Sequence, residues 1–230
     1  MFNKMQWKNL NKQTDPILAL AIMINGIQTS KEESFHYGQL KFDALNKSCP
    51  VIAFHNQPGS FAQDYRRIAL EAQNVETTSI VGVRQLLITS MDYLAKVCPN
   101  FRIVVGAHSE GSLILYKALQ WMDEVHKKMA MEHLIIRTYG AVQFIPDNYG
   151  INTWNVLSDK DKIASFSRRF QTGSTEEGCN VRYVPCITPR SEWTALWGDH
   201  AFLGKTYQKA FEEDMGDIRG KNVPVYKWRR

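Results

Sequence analysis

The sequence predicts a three-layer α/β/α sandwich with a mainly parallel β-sheet. Short apolar runs alternate with longer helical segments along the chain, and this order is typical of parallel strands joined by helices. The runs Ile17–Ile24 (ILALAIMI) and Phe101–Ala107 (FRIVVGA) are apolar at nearly every position, as expected for strands that are covered on both faces. With 230 residues, 44% of them hydrophobic, the chain is long enough for one domain with a sizeable core.

About six strands are expected, with Phe101–Ala107 near the centre of the sheet because it is strongly apolar. The other strands are predicted at Ile17–Ile24, at Pro50–Phe54, within His133–Ile145, at Asn152–Leu157 and at Asn180–Ile187. Helices are predicted at Lys31–Asn46, Phe61–Gln73, Ser79–Val97, Ser109–Lys128 and Ala201–Asp214. The first helix is expected to bury a ragged apolar face formed by Phe35, Leu40, Phe42 and Leu45.

One domain is predicted over residues 16–216, preceded by an extension over residues 1–15 and followed by a basic tail over residues 217–230. The net charge of +5 is mild and the basic residues are scattered, so no nucleic-acid partner is expected. The run Ile17–Ile24 is too short to span a bilayer and lacks a signal-peptide cleavage site. We therefore expect a cytoplasmic protein, or one exported by a route without a readable signal.

The four cysteines, Cys49, Cys98, Cys179 and Cys186, contain no C-x-x-C pair. Neither a zinc site nor any other metal or cofactor is therefore expected. Free thiols in a reducing compartment are the favoured interpretation, and a single bridge between Cys179 and Cys186 is the alternative.

The segment Ala107–Gly111 (AHSEG) matches the nucleophile elbow G-x-S-x-G, with alanine at the first position. The elbow is a sharp turn between a strand and a helix, and the positions two before and two after the serine must be small. An apolar strand before Ser109 and an amphipathic helix after it supply the context that this short motif needs. The alternative is an ordinary turn in which Ser109 only caps the helix.

A base and an acid for Ser109 follow later in the chain, in the order serine, acid, histidine that goes with this elbow. His200 is the only histidine after the candidate acids, and it precedes the last predicted helix. Asp161 lies in a polar loop after a predicted strand and is the favoured acid, with Asp159 as its competitor. Ser109 is predicted to attack, His200 to accept its proton, and Asp161 to orient the imidazole.

The predicted oxyanion hole consists of two backbone amides. One belongs to Glu110, directly after the nucleophile, and the other to Ile27, which follows the first strand and Gly26. Asn25 and Gly26 are assigned to substrate binding at the same strand end, and His108 is assigned a structural or modulatory role. Trp193 and Trp197, just before His200, are candidates for an acyl pocket, with simple packing as the alternative.

From about Ile17 to Phe211, these residues resemble the α/β-hydrolase superfamily, which implies its fold and a hydrolase activity. The segments INGIQTSKEE, AFHNQPGS and AHSEGSLILYKAL also resemble a little-characterised hydrolase-like family of chlamydiae, with a similar N-G-x-x-T-S start, a histidine at a strand end and an H-S-x-G elbow. This second resemblance implies an obligately intracellular bacterial setting and no particular substrate. The chain departs from the wider superfamily at Asn25-Gly26, where His-Gly is common, and at Ala107.

The sequence therefore favours a serine hydrolase that cleaves an ester, thioester or amide through an acyl-enzyme. The alternative is a catalytically inactive protein that uses the same scaffold as a binding or effector module. A lipid hydrolase with transient membrane-surface contact is a further interpretation. The expected partner is a small-molecule or lipid ester, and the sequence gives no indication of the oligomeric state.

Overall fold

The computed structural model describes residues 17–45, 49–163, 178–193 and 198–220. At its centre is a six-stranded sheet in the order β2-β1-β3-β4-β5-β6, in which every neighbouring pair is parallel. The strands are β1 (Ile17–Ile24), β2 (Val51–Phe54), β3 (Phe101–His108), β4 (Leu134–Tyr139), β5 (Asn152–Ser158) and β6 (Val181–Val184). The predicted parallel sheet is confirmed, and β3 lies inside it, between β1 and β4.

Helices cover both faces of this sheet. They are α1 (Lys31–Ala44), α2 (Phe61–Ala72), α3 (Thr78–Val97), α4 (Glu110–Gln120), α5 (Glu124–His133) and α6 (Lys205–Gly220). Alternate residues of β1 show the two cores, since Ile22 and Ile24 pack with α3 and α4, whereas Ala21 and Met23 pack with α1 and α6. Because neither face of the inner strands meets water, continuous apolar runs are stable there, and the three-layer prediction is confirmed.

Three of the predicted helices differ from the observed ones by one or two residues at one end, and the other two differ by more. The segment predicted as one helix over Ser109–Lys128 is two helices, because α4 ends at Gln120 and Asp123 starts α5. The Asp123 side chain accepts a hydrogen bond from the His126 amide at 3.0 Å, which is a standard N-cap. The last helix begins at Lys205 rather than at 201 and continues to Gly220, beyond the predicted start of the basic tail.

The predicted apolar face of α1 is correct only in part. Leu45 is buried in the core and Leu40 is half-buried, whereas the side chain of Phe42 lies outside the described part of the chain. Phe35 is 70% exposed, and the residues that face the sheet are Ser34, Tyr37, Gly38 and Lys41. Lys41 is fully buried and donates from Nζ to the Ile22 carbonyl oxygen at 2.8 Å, and burial lowers its pKa to about 7. Polar side chains are buried here because they find partners on β1 and in the loop after it, which the periodicity of α1 does not reveal.

The four cysteines, including Cys179 and Cys186, are thiols that form no disulfide bond with one another in the structure. Within the described ranges, no helix has the length and apolar content needed to cross a membrane. No group of three or more histidine, cysteine or acidic side chains among the described residues is arranged to hold a metal ion.

Candidate active site

Ser109 occupies a strained turn between β3 and α4, at the carboxyl end of the sheet. Its φ of 53° and ψ of −125° lie in a region that residues other than glycine rarely adopt. The turn is held by its neighbours, since the Ser109 carbonyl oxygen accepts hydrogen bonds from Ser112 N at 3.0 Å and from Ser112 Oγ at 2.7 Å. The Ser109 side chain does not cap α4, so the alternative of a simple helix cap does not describe this residue.

Glycines allow the backbone segments around the elbow to approach closely. A Cβ on Gly111 would lie 2.7 Å from the Ile24 carbonyl oxygen, and a Cβ on Gly26 would lie 2.6 Å from Ser109 Cβ. Both distances are shorter than non-bonded carbon and oxygen atoms tolerate. The end of β1 can therefore touch the elbow only because neither position carries a side chain, as the sequence predicted for Gly111.

The three side chains predicted to act together form a continuous hydrogen-bonded chain. His200 Nε2 lies 2.9 Å from Ser109 Oγ, and His200 Nδ1 lies 2.8 Å from Asp161 Oδ2. All three residues are buried, so these contacts are largely shielded from water. When His200 Nδ1 carries the proton and donates it to Asp161, Nε2 is left to accept the hydroxyl proton of Ser109.

The two candidate acids have different environments. Asp161 is buried against His200, and its main chain forms an antiparallel bridge with Gly198, two residues before that histidine. The Asp159 carboxylate is half exposed and accepts a hydrogen bond from the Cys186 amide at 3.0 Å. Of the two, the structure therefore brings Asp161 to the imidazole, as the sequence favoured.

Gly140, directly after β4, is a site residue that the sequence interpretation missed. Its φ is +55°, and a Cβ there would lie 2.8 Å from Asp161 Oδ2 and 3.1 Å from His200 Nδ1. Any larger residue would therefore displace the hydrogen bond between the acid and the base. The signal available in the sequence was a glycine inside His133–Ile145, the segment predicted to contain the fourth strand.

His108, the residue before the nucleophile, forms a hydrogen bond with the main chain of His200. Its Nε2 lies 2.8 Å from the main-chain oxygen of His200, and this contact requires Nε2 to carry the proton. Burial, followed by the neighbouring His200 ring, lowers the pKa of His108 to about 3. The side chain is therefore neutral at physiological pH, which agrees with the predicted structural or modulatory role.

The side chain of Glu110 belongs to a buried ion-pair network beneath the elbow. Arg67 donates from Nε to Glu110 Oε1 at 2.9 Å and from Nη2 to Oε2 at 2.8 Å, and Asn56 Nδ2 donates to the same Oε2. Bidentate contacts of this kind fix both groups in orientation. The network therefore fixes the first residue of α4, whose amide is the predicted first donor of the oxyanion hole.

The second predicted donor, Ile27, lies in the turn after β1. The next residue, Gln28, has a φ of 53°, and its side chain donates to Asp64 Oδ2 at 2.5 Å and to the Gly59 carbonyl oxygen at 3.2 Å. Arg67 also contacts Asp64 at 3.0 Å. The same network therefore holds both loops that carry the predicted donors.

The assignment of Asn25 to substrate binding is wrong. Asn25 is fully buried, and its Nδ2 donates to the Gly26 and Asn56 carbonyl oxygens at 2.8 and 3.2 Å. Its Oδ1 accepts from Ser34 Oγ at 3.2 Å and from Asn56 N at 2.8 Å. With all four hydrogen-bonding positions used internally, Asn25 joins the loops after β1 and β2 and has none left for a ligand.

Of the two tryptophans proposed for an acyl pocket, one lies among the described residues. Trp193 is partly buried and donates from Nε1 to the Thr188 carbonyl oxygen at 2.9 Å. Trp197 lies outside the described residues. Their contact with substrate stays a prediction.

Comparisons with known proteins support the fold assignment. No family model matches the chain, and no curated protein matches it. Among solved structures, the poly(3-hydroxybutyrate) depolymerase LpqC from Bordetella parapertussis has a TM-score of 0.52 and 9% identity, over 91% of this chain and 81% of that chain. The dienelactone hydrolase from Anabaena variabilis has a TM-score of 0.48 and 12% identity, over 88% and 87%. A cutinase from Trichoderma reesei has a TM-score of 0.41 and 19% identity, over 66% and 67%.

Identities this low carry information about architecture and not about substrate. None of these structures is described as chlamydial, so the resemblance to the chlamydial family stays a prediction. The parallel six-stranded sheet with helices on both faces, together with the likeness to LpqC over 91% of the chain, shows that the chain has the α/β-hydrolase fold.

Proposed function

We propose that the chain is a serine hydrolase that cleaves an ester, thioester or amide by way of an acyl-enzyme. The observation that carries this proposal is the chain of hydrogen bonds from Ser109 through His200 to Asp161, at 2.9 and 2.8 Å. A structural serine would not need a strained backbone, a glycine pressed against its Cβ and a buried imidazole directed at its hydroxyl.

The proposed reaction begins with attack of Ser109 Oγ on the acyl carbonyl carbon, while the hydroxyl proton passes to His200 Nε2. Asp161 stabilises the imidazolium that forms, and the amides of Glu110 and Ile27 bind the developing oxyanion. Collapse of the intermediate expels the alcohol, thiol or amine, which takes the proton from His200. Water then repeats the sequence on the acyl-enzyme, releases the acid and regenerates Ser109.

The direct test is labelling with a fluorophosphonate probe, which reacts with activated serines. We expect the wild-type protein to be labelled, mass spectrometry to locate the adduct on Ser109, and Ser109→Ala and His200→Ala to stay unlabelled. The matched control is Asp159→Asn, which removes a carboxylate two residues from Asp161 and should leave labelling intact. Thermal unfolding of each variant checks that it is folded.

A folded wild-type protein that is not labelled would contradict the proposal and favour the alternative of a binding or effector module. Labelling that persists in Ser109→Ala would place the reactive serine elsewhere. Substrate class is a second question, for which p-nitrophenyl esters of increasing acyl length are compared with and without anionic lipid vesicles. Activity that rises only with long chains on vesicles would support the proposal of a lipid ester substrate at a membrane surface.

A further inference from the structure

Asp161, the proposed acid, accepts a second hydrogen bond in addition to the one from His200, and its donor is the hydroxyl group of Tyr207. Tyr207 Oη lies 2.5 Å from Asp161 Oδ2, the same oxygen atom that faces His200 Nδ1 at 2.8 Å. Tyr207 is fully buried in the first turn of α6, whereas Asp161 follows the end of β5. A residue 46 positions away in the sequence therefore shares the oxygen that contacts the imidazole.

The direction of this hydrogen bond follows from the other partner of the hydroxyl group. The main-chain amide of Ser158 donates to Tyr207 Oη at 3.0 Å, so the single hydroxyl proton is available for Asp161. Burial, followed by the nearby Asp161 carboxylate, raises the pKa of Tyr207 well above its ordinary value. The phenol consequently keeps its proton at neutral pH and can donate it to Asp161.

The carboxylate oxygen is enclosed on its remaining side by Gly140, where a Cβ would lie only 2.8 Å away. Among the residues that the structure describes, the other titratable groups near this cluster are the neutral His108 on the elbow, Asp199 beside His200, and Tyr139 on β4. His108 carries no charge and Tyr139 donates to Asp214. Asp161 Oδ2 is thus held between His200 and Tyr207, and its rotation would break two hydrogen bonds at once.

We propose that Tyr207 is a positioning residue of the reaction. It fixes the Asp161 carboxylate, and its hydroxyl group and the His200 imidazole both interact with the negative charge on Asp161 Oδ2. This inference rests on the proposed hydrolase function. Tyr207 acts through Asp161 and does not contact the reacting atoms. Its hydrogen bond disperses part of the charge on Oδ2, and so it limits how strongly the carboxylate stabilises an imidazolium before substrate has reacted.

The variant Tyr207→Phe removes the hydroxyl group and keeps the ring. We expect kcat to fall about 10-fold with KM nearly unchanged, because the acid loses orientation and substrate binding does not involve Tyr207. The charge left on Oδ2 then holds the imidazolium more strongly, so the acidic limb of the kcat/KM profile should move to higher pH. A residue that only stabilised the fold would lower the melting temperature and leave the profile in place.

The matched control is Tyr139→Phe. It removes another buried phenol, whose hydroxyl donates to a carboxylate of the same helix, Asp214, at 2.9 Å. Because its hydroxyl is directed at Asp214 and not at the Asp161–His200 pair, we expect a comparable loss of stability with an unchanged pH profile. Parallel shifts of the profile in both variants would overturn the positioning role.

A double-mutant cycle separates this inference from the proposed function. In an Asp161→Asn background, Tyr207→Phe should cost nothing further, because the tyrosine acts through the carboxylate. Equal losses in the two backgrounds would contradict the inference while leaving the hydrolase intact. If the wild-type protein had no hydrolase activity, the proposed function would be contradicted.

Proton NMR tests the hydrogen bond even if the enzyme proves inactive or Tyr207→Phe fails to fold. We expect two exchange-protected downfield protons in the wild type, one from His200 Nδ1–H and one from Tyr207 Oη–H. Both should move or vanish in Asp161→Asn, since both share that acceptor. A wild-type spectrum with no downfield phenolic proton would overturn the inference.

Discussion

His108 donates its Nε2–H to the main-chain oxygen of His200 at 2.8 Å, and the two rings lie 5.0 Å apart between centroids. The residue before the nucleophile thus restrains the backbone of the proposed base. Because His108 Nδ1 is buried without a partner in the described structure, the Nε2 contact is the bond that fixes this ring. This hydrogen bond joins the nucleophile elbow to the main chain that carries His200.

We expect His108→Phe to lower kcat roughly 10-fold and His108→Gln to retain more activity. Phenylalanine removes the donor and leaves the His200 carbonyl buried and unsatisfied, whereas the glutamine amide can donate to it. Steady-state kinetics on a short p-nitrophenyl ester would measure the difference. Equal kcat values for both variants and the wild type would show that this bond does not position His200.

Asp161→Asn is expected to lower kcat by roughly 10³–10⁴-fold, because the amide cannot stabilise an imidazolium and favours the wrong tautomer. Ser109→Ala and His200→Ala should each cost more, roughly 10⁶-fold, since these two groups exchange the proton as one unit. Asp159→Asn should change kcat by less than about 2-fold, because its carboxylate is half exposed and accepts from the Cys186 amide, whereas the imidazole is bonded to Asp161. If Asp159→Asn lost most of its activity and Asp161→Asn kept it, the role of the acid would belong to Asp159.

Much of the site follows from the order of residues along the chain. Buried parallel strands require apolar runs, and the ends of such strands converge on one edge of the sheet. Ser109 and Asp161 could therefore be assigned because each follows a strand that is recognisable by composition alone. His200 could be assigned by elimination, as the only histidine after the acids.

The rest depends on contacts that no local pattern carries. Tyr207 is one of several apolar or aromatic positions on α6, and only the fold brings its hydroxyl to Asp161. Asn25 was assigned to substrate binding, and the pattern of α1 gives no sign that Lys41 is buried. Both are buried because backbone carbonyls or side chains from β1 and the neighbouring loops satisfy them. Burial of a polar group is decided by its tertiary partner, and the partner is distant in sequence.

Gly26→Ala should lower kcat/KM by more than about 10-fold, since the added methyl group would lie 2.6 Å from Ser109 Cβ and displace the elbow. The control is Gly216→Ala within α6, where a Cβ meets nothing within 4 Å. That variant should keep wild-type kinetics and gain about 0.5–1 kcal/mol of stability, because alanine suits a helix better. Kinetics and thermal unfolding of both variants would measure this; unchanged activity in Gly26→Ala would show that the close contact is not needed.

Glu71, at the end of α2, should make the stability of the protein fall as the pH rises. Its carboxylate is fully buried, Thr77 donates to Oε1 at 2.7 Å, and Oε2 has no partner within the described residues. Burial, followed by repulsion from Glu110, raises the pKa of Glu71 to about 7. Below the unfolded-state value of 4.5 both states are protonated, and between 4.5 and 7 only the unfolded state ionises, so stability is progressively lost.

Replacing this side chain with a neutral amide removes that loss. We expect Glu71→Gln to change the free energy of unfolding little at pH 4.5 and to raise it by on the order of 2 kcal/mol at pH 8. The control Glu76→Gln removes an exposed carboxylate that is paired with Arg84, and its effect should stay below about 1 kcal/mol at both pH values. Urea unfolding at pH 4.5, 6 and 8 measures the difference between each variant and the wild type. A Glu71→Gln curve that runs parallel to the wild type across this range would show that Glu71 is ionised in the folded protein, with its charge stabilised by Arg67.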